Sequence, residues 1–188
     1  VNFRRSLYLI SKNAQFEVFG SPFDAQNARI EQVTSYPTFA EVRPGVIGDE
    51  LFFLSEASNR VGMYSYRYNE QSASEIANDV TKHVPHLVEG TPRSLVTNPL
   101  TGEVYVLSNK DRRKLYVHRF YNQGNERVQS AWSVYTFGWM DILDIITWKG
   151  KVYILTARNS KLYIETLETA DSVDEYFDHQ PRMDRKQF

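Results

Sequence analysis

The sequence predicts an all-β chain, a β-propeller or propeller-like fragment of about four small antiparallel blades, complete or incomplete, with one short helix in a connection. Three observations predict it. Short apolar, aromatic and β-branched runs end in Ser or Thr and are followed, after a polar turn, by a second such run: Leu7-Tyr8-Leu9-Ile10-Ser11, Leu51-Phe52-Phe53-Leu54-Ser55, Val104-Tyr105-Val106-Leu107-Ser108 and Val152-Tyr153-Ile154-Leu155-Thr156. Aligning Tyr8, Phe52, Tyr105 and Tyr153 gives spacings of 44, 53 and 48 residues, close to the roughly 40 to 50 residues of propeller-type repeats. The runs are also apolar at alternate positions of both parities, which calls for cover on both faces of each sheet. Radial stacking of small sheets supplies that cover and leaves only short edges; a sandwich with similar hairpins is the other arrangement these runs allow.

Taken in order, the first hairpin covers 7–19 and turns at Lys12-Asn13-Ala14, and residues 29–36 alternate polar with apolar, a strand with one wet face that Pro37 ends. Pro44-Gly45 and Gly48-Asp49 bracket Val46-Ile47 ahead of the second copy, whose core spans 46–68. Ser72 followed by Glu75 resembles a capping box, so residues 72–80 are read as the short helix. Pro85 and Pro92 then hold the chain extended until the third copy, 95–137, which supplies the four strands a blade needs. The fourth copy, 142–167, turns at Lys149-Gly150. The domain reading is one propeller-like repeat domain over 1–168 and a charged tail, or the start of a further segment, over 169–188.

A net charge of −1 with interspersed acids and bases implies no general attraction to nucleic acid or anionic membrane. With no cysteine there is neither a disulfide framework nor a thiolate metal site. No apolar run approaches the roughly 18 residues of a membrane-spanning helix. The opening Val1-Asn2-Phe3-Arg4-Arg5 lacks an initiator Met and leads straight into a strand, as expected of a piece of a longer protein.

Function is therefore sought locally. Lys110, Arg112, Arg113 and Lys114 form the densest basic cluster, on a predicted turn; it is either a soluble hairpin tip or a contact for a partner subunit or for DNA, sequence-blind and salt-dependent. Tyr64, Tyr66 and Tyr68 share one face of a strand, as cross-strand packing or as a stacking platform for sugar. Asp141 and Asp144, near Trp139 and Trp148, are either turn formers or the paired carboxylates of a glycosidase. His83 and His86, and the tail's Asp171, Asp174, Glu175, Asp178 and His179, have donor types that metals use, but they are read first as a blade-connecting loop and a solvated charged tail. No phosphate loop, nucleophile elbow or zinc-protease motif is present, and no cofactor is implied.

Three segments carry a resemblance: Asn78-Asp79-Val80-Thr81-Lys82-His83-Val84-Pro85-His86, Glu126-Arg127-Val128-Gln129-Ser130-Ala131-Trp132-Ser133-Val134-Tyr135-Thr136-Phe137-Gly138, and Leu9-Ile10-Ser11-Lys12-Asn13-Ala14-Gln15-Phe16. With Val33-Thr34-Ser35-Tyr36 and Gly48-Asp49-Glu50-Leu51-Phe52-Phe53 in order between them, most of residues 5–168 resembles the tail tubular protein B, or tail nozzle, family of short-tailed bacteriophages, the stretch around Trp132 being the most specific. The resemblance implies a non-enzymatic virion structural protein of the phage tail, encoded by a phage or a prophage. It further implies a propeller-like domain, assembly with copies of itself in a six-fold ring, an adaptor ring and tail fibres as partners, and non-specific passage of DNA. The alternative is a carbohydrate-binding or carbohydrate-hydrolysing propeller acting on cell-surface polysaccharide through Tyr64, Tyr66, Tyr68, Asp141 and Asp144.

Overall fold

A computed structural model describes residues 1–3, 6–20, 24–57, 59–69, 74–124 and 126–167. They form fifteen strands in four small antiparallel sheets, and consecutive strands are neighbours in each. The first sheet comprises β1 (Asn2–Phe3), β2 (Ser6–Ile10), β3 (Gln15–Phe19) and β4 (Arg29–Thr34). The second comprises β5 (Gly45–Ile47), β6 (Glu50–Ala57), β7 (Arg60–Asn69) and β8 (Ser74–Asp79). The third comprises β9 (Pro92–Asn98), β10 (Glu103–Ser108), β11 (Lys114–Gln123) and β12 (Glu126–Thr136). The fourth has three strands, β13 (Asp141–Trp148), β14 (Lys151–Arg158) and β15 (Lys161–Leu167). The chain divides at Leu95/Val96 into two compact units.

The all-β reading and the four small sheets hold. The expected helix does not: residues 74–79 are strand β8, paired with β7 from Tyr64↔Asp79 to Asn69↔Ser74, and the described residues contain no helix. A nine-residue helix is marginal without a packed face, whereas β7 would otherwise present a ten-residue edge of unpaired backbone groups. The ladder continues past β8, with Val80 N–H donating to the Met63 carbonyl at 2.9 Å. Ser72, the expected cap, lies outside the described residues, as do Asp171, Asp174, Glu175, Asp178 and His179. A second difference concerns β4, where Arg29 to Gln32 are exposed on both faces rather than one.

In the first unit the face of β1–β4 carrying Phe3 and Tyr8 packs on the face of β5–β8 carrying Leu51, Phe53 and Tyr66. Phe3, Tyr8 and Tyr66 meet edge to face with centroids 5.4–6.3 Å apart, the arrangement that sets positive ring edges on negative faces. In the second unit Tyr105, Leu107, Leu115 and Val117 pack against Ile142, Ile145, Val152, Ile154 and Leu167, with Phe137 and Met140 of the connecting link closing the seam. Strands β6 and β10 are buried on both faces, as their two-sided apolar composition requires.

Each sheet also buries one acid or amide bonded to an adjacent strand or its continuation. Gln15 accepts from Thr34 Oγ1 at 2.6 Å and donates to the Tyr36 carbonyl at 2.9 Å. Glu50 accepts from Ser65, Glu103 from Arg119, and Glu165 from Thr156. A one-residue slip would move each group to the opposite face and away from its partner, so these pairs reinforce the register that the apolar pattern sets.

Two hairpins close through paired left-handed residues. Lys149 and Gly150 have φ of 49° and 76°, and Asn159 and Ser160 have 49° and 59°; this is the primed-turn geometry whose twist matches that of the flanking strands.

Candidate contact surfaces

The basic turn between β10 and β11 is built from its own short side chains. Ser108 Oγ accepts from Lys110 N–H at 3.2 Å, Asp111 Oδ1 from Arg113 N–H at 3.0 Å, and the Asp111 carbonyl from Lys114 N–H at 3.2 Å. The Arg113 N–H, with the guanidinium beside it, holds the Asp111 carboxyl below the usual carboxylate range. The turn is also hooked to the β12–β13 link, because the carbonyls of Arg112 and Arg113 accept from Ile142 N–H and Phe137 N–H, both at 2.8 Å.

That link is itself anchored. Phe137 and Met140 enter the core, and the Arg158 guanidinium lies 4.9 Å from the Trp139 ring centroid and 3.9 Å from that of Tyr163. Backbone groups thus face inward while the side chains of Lys110, Arg112 and Arg113 are exposed and Lys114 is half-buried. Chemically this is a fixed cluster of cations with one internal carboxylate, able to meet carboxylates or phosphates.

A second surface was not singled out from the sequence. The outer face of β13–β15 exposes Ile146, Trp148, Leu162 and Ile164, the last at 74%, around half-buried Tyr153 and Leu155. The register makes the face continuous, with Ile146 opposite Tyr153, Leu155 opposite Ile164 and Ala157 opposite Leu162. Exposed apolar patches of this kind mark contact sites. The signal in the sequence was the two-sided apolar composition of 142–164 itself.

Asp141 and Asp144 sit on that same outer face, both exposed. Three residues apart, they would fall on opposite faces of a regular strand; the bulge between Ile142 and Asp144 absorbs the odd residue. Asp144 Oδ1 accepts from Ile145 N–H at 2.8 Å, a local turn-like bond.

The three tyrosines of β7 share a face but not an environment. Tyr66 is a core residue, Tyr64 stacks on Phe53 at 5.7 Å and lies tilted against Tyr36 at 4.6 Å, and Tyr68 is 38% exposed, so no continuous three-ring platform meets solvent there. Burial and the nearby Asp79 charge push the Tyr64 phenol up. His83 and His86 are exposed in the turns after β8, and no group of three or more His, Asp or Glu suited to a metal occurs among the described residues.

With these surfaces defined, comparison with known proteins is informative. The family model described as "Bacteriophage nozzle protein" matches residues 1–187. The chain belongs to the bacteriophage nozzle protein family. It is 28% identical over 141 residues to the tail tubular protein gp12 of Escherichia phage T7, an alignment covering 73% of this chain and 18% of the T7 protein. The chain therefore spans about 18% of the length of that relative. Membership identifies it as a segment of a phage nozzle protein. No helix among the described residues is long and apolar enough to cross a membrane.

Proposed function

We propose that this nozzle chain is a rigid, propeller-like run of sheets within a longer tail protein, and that repeated copies of it enclose part of the conduit through which phage DNA leaves. The observation that carries the reading is the outer face of β13–β15. A sheet apolar on both sides, exposing Trp148 and Ile164, is suited to a further layer, and stacking another sheet of the longer polypeptide there continues the pattern that buries both faces of β6 and β10. Stacked sheets hold the connecting turns fixed. The turn bearing Lys110, Arg112, Arg113 and Lys114 then meets acidic groups of an adjacent tail subunit, adaptor or fibre, or transient DNA phosphates, with the salt sensitivity such contacts carry. The work is mechanical, and no catalytic group is required.

The test is quantitative mass spectrometry of density-purified phage particles, induced prophage included. Peptides of this chain in a fixed ratio to the major capsid protein, at a copy number fitting a six-fold ring, are expected. Absence from particles, with the protein found in the host or medium, would overturn the assignment.

A further inference from the structure

Three connections meet at one end of the second unit. The basic turn is bonded through the Arg112 and Arg113 carbonyls to the β12–β13 link, and Trp139 of that link lies against Arg158, at the turn between β14 and β15. Arg158 stands opposite Lys161 across that turn. This end therefore carries six cations, Lys110, Arg112, Arg113, Lys114, Arg158 and Lys161, against three carboxylates. Two of the three are engaged within it, Asp111 with Arg113 and Glu165 with Arg158, each at 3.4 Å; the third is Asp141. Trp139, 53% exposed, lies among these charges. A chain of net charge −1 thus gathers cations where three turns converge. The sequence also holds the complement of this surface. Asp171-Ser172-Val173-Asp174-Glu175-Tyr176-Phe177-Asp178 is the densest acidic run of the chain, four carboxylates with no base among them and two aromatic rings, and it lies beyond the described residues.

We propose that this acidic run docks on the basic end of its own chain, with its carboxylates on Lys110, Arg112, Arg113, Lys114 and Lys161 and its rings beside Trp139, where aromatic pairing adds to charge. Reach permits the contact and selects the acids that make it. Strand β15 begins at Lys161, at the basic end, and finishes at Leu167 opposite Val152, about 20 Å away at the usual strand rise. Asp174, Glu175 and Asp178 follow Leu167 by 7, 8 and 11 residues and can extend at most about 25, 29 and 40 Å from it, whereas Asp171, 4 residues on, extends about 14 Å and falls short. Exposed ion pairs are individually weak, but a segment joined to the surface it meets is present at an effective concentration on the order of millimolar, which favours the chain's own run over that of another copy. The docked run occupies the cations proposed to meet an adjacent subunit or DNA, so either must displace it.

The docking rests on the reading of the basic turn as a contact surface, and it is tested on the chain alone, so its failure and absence of the chain from particles are separate results. The probe is a zero-length carbodiimide, which joins a lysine amine to a carboxylate that it touches. In an equal mixture of isotope-labelled and unlabelled chain at low salt, mass spectrometry of tryptic peptides is expected to show Lys110, Lys114 or Lys161 joined to Asp174, Glu175 or Asp178 within one isotopic form. These links should be several-fold more frequent than links of the same lysines to Asp184, which is tethered to the same segment but set among Arg182, Arg185 and Lys186. Arg112→Glu with Arg113→Glu, at two exposed side chains, should bring them down to the Asp184 level with the circular dichroism unchanged. So should about 1 M NaCl, where the screening length is roughly 3 Å. Links no more frequent than those of Asp184, links found mainly between labelled and unlabelled chains, or links that survive both the double reversal and the salt would each overturn the docking.

Discussion

Glu103 offers a quantitative test of how the second unit is held in register. Its side chain is 1% exposed and accepts four hydrogen bonds. Arg119 Nη2 and Nε donate to Oε1 at 2.8 and 3.0 Å, and Tyr105 Oη and Thr101 Oγ1 donate to Oε2 at 2.5 and 2.6 Å. Glu103→Gln keeps the volume and an acceptor for Arg119, and both hydroxyls can rotate to accept from the new amide. What is lost is the charge assistance at Arg119, about 2 kcal/mol from the difference between charged and neutral hydrogen bonds, and less than a fully buried pair because Arg119 is 32% exposed. Arg119→Met strands the buried carboxylate on two hydroxyls and is expected to cost about 3 kcal/mol. The double variant is expected to fall short of the sum by about 1–2 kcal/mol, the coupling of groups in direct contact. Urea unfolding followed by tryptophan fluorescence reads this out cleanly, because Trp132, Trp139 and Trp148 all belong to the second unit. A Glu103→Gln variant within about 0.5 kcal/mol of the parent, the ordinary range of surface substitutions, or strictly additive costs would refute the account.

Other predictions follow from the same geometry. Burial, then the Glu103 charge and the hydrogen bond to it, push the Tyr105 phenol far above the usual tyrosine range, so its contribution is complete below the unfolded value of about 10 and is lost as pH rises toward the folded one; Tyr105→Phe should flatten the alkaline limb of a stability–pH profile, and an unchanged limb would contradict this. In the first unit burial opposes ionisation of Asp79, but hydrogen bonds from Thr81 and Arg60 outweigh it and hold the carboxyl below its usual range. Stability from Asp79 is therefore present above the unfolded carboxylate value and lost as pH falls through the folded one, and Asp79→Asn should lose that acid dependence in circular dichroism melts. Gly102 has φ of +65°, and an added Cβ would sit 2.8 Å from the Phe120 carbonyl oxygen, so Gly102→Ala is expected to destabilise the second unit by about 1–3 kcal/mol in urea.

Sequence reasoning reached the strands because their signal is local and redundant. Val104 to Leu107 is apolar at every position, and it folds as a strand buried at every position. Lys149-Gly150 reads as a hairpin turn and is one. It failed where the deciding partner is distant or the signal is a single residue. Ser72 and Glu75 spell a helix start, but nothing in 72–80 records that β7 has an open edge to be filled. The bulge after Ile142 leaves no mark in the sequence, yet it decides on which face Asp144 lies. The buried acids were equally hidden, since Glu103 among Val104, Tyr105 and Val106 looks like a solvent-facing residue until Arg119 is brought opposite it.

The outer face of β13–β15 separates two explanations of two-sided apolar strands. If Leu162 and Ile164 served only the stability of their own sheet, charging them would unfold it. Ile164 is 74% exposed, however, so Ile164→Asp removes little burial and should shift the urea midpoint of the second unit by no more than about 0.5 kcal/mol equivalent. The same change places a charge on a face proposed to be covered in the longer protein, where an unpaired buried charge is strongly unfavourable. Introduced into the full-length nozzle gene, Ile164→Asp should therefore reduce infectious particles sharply while the isolated chain keeps its stability. Loss of stability in the isolated chain, or normal particle yield, would show that this face has no partner to lose.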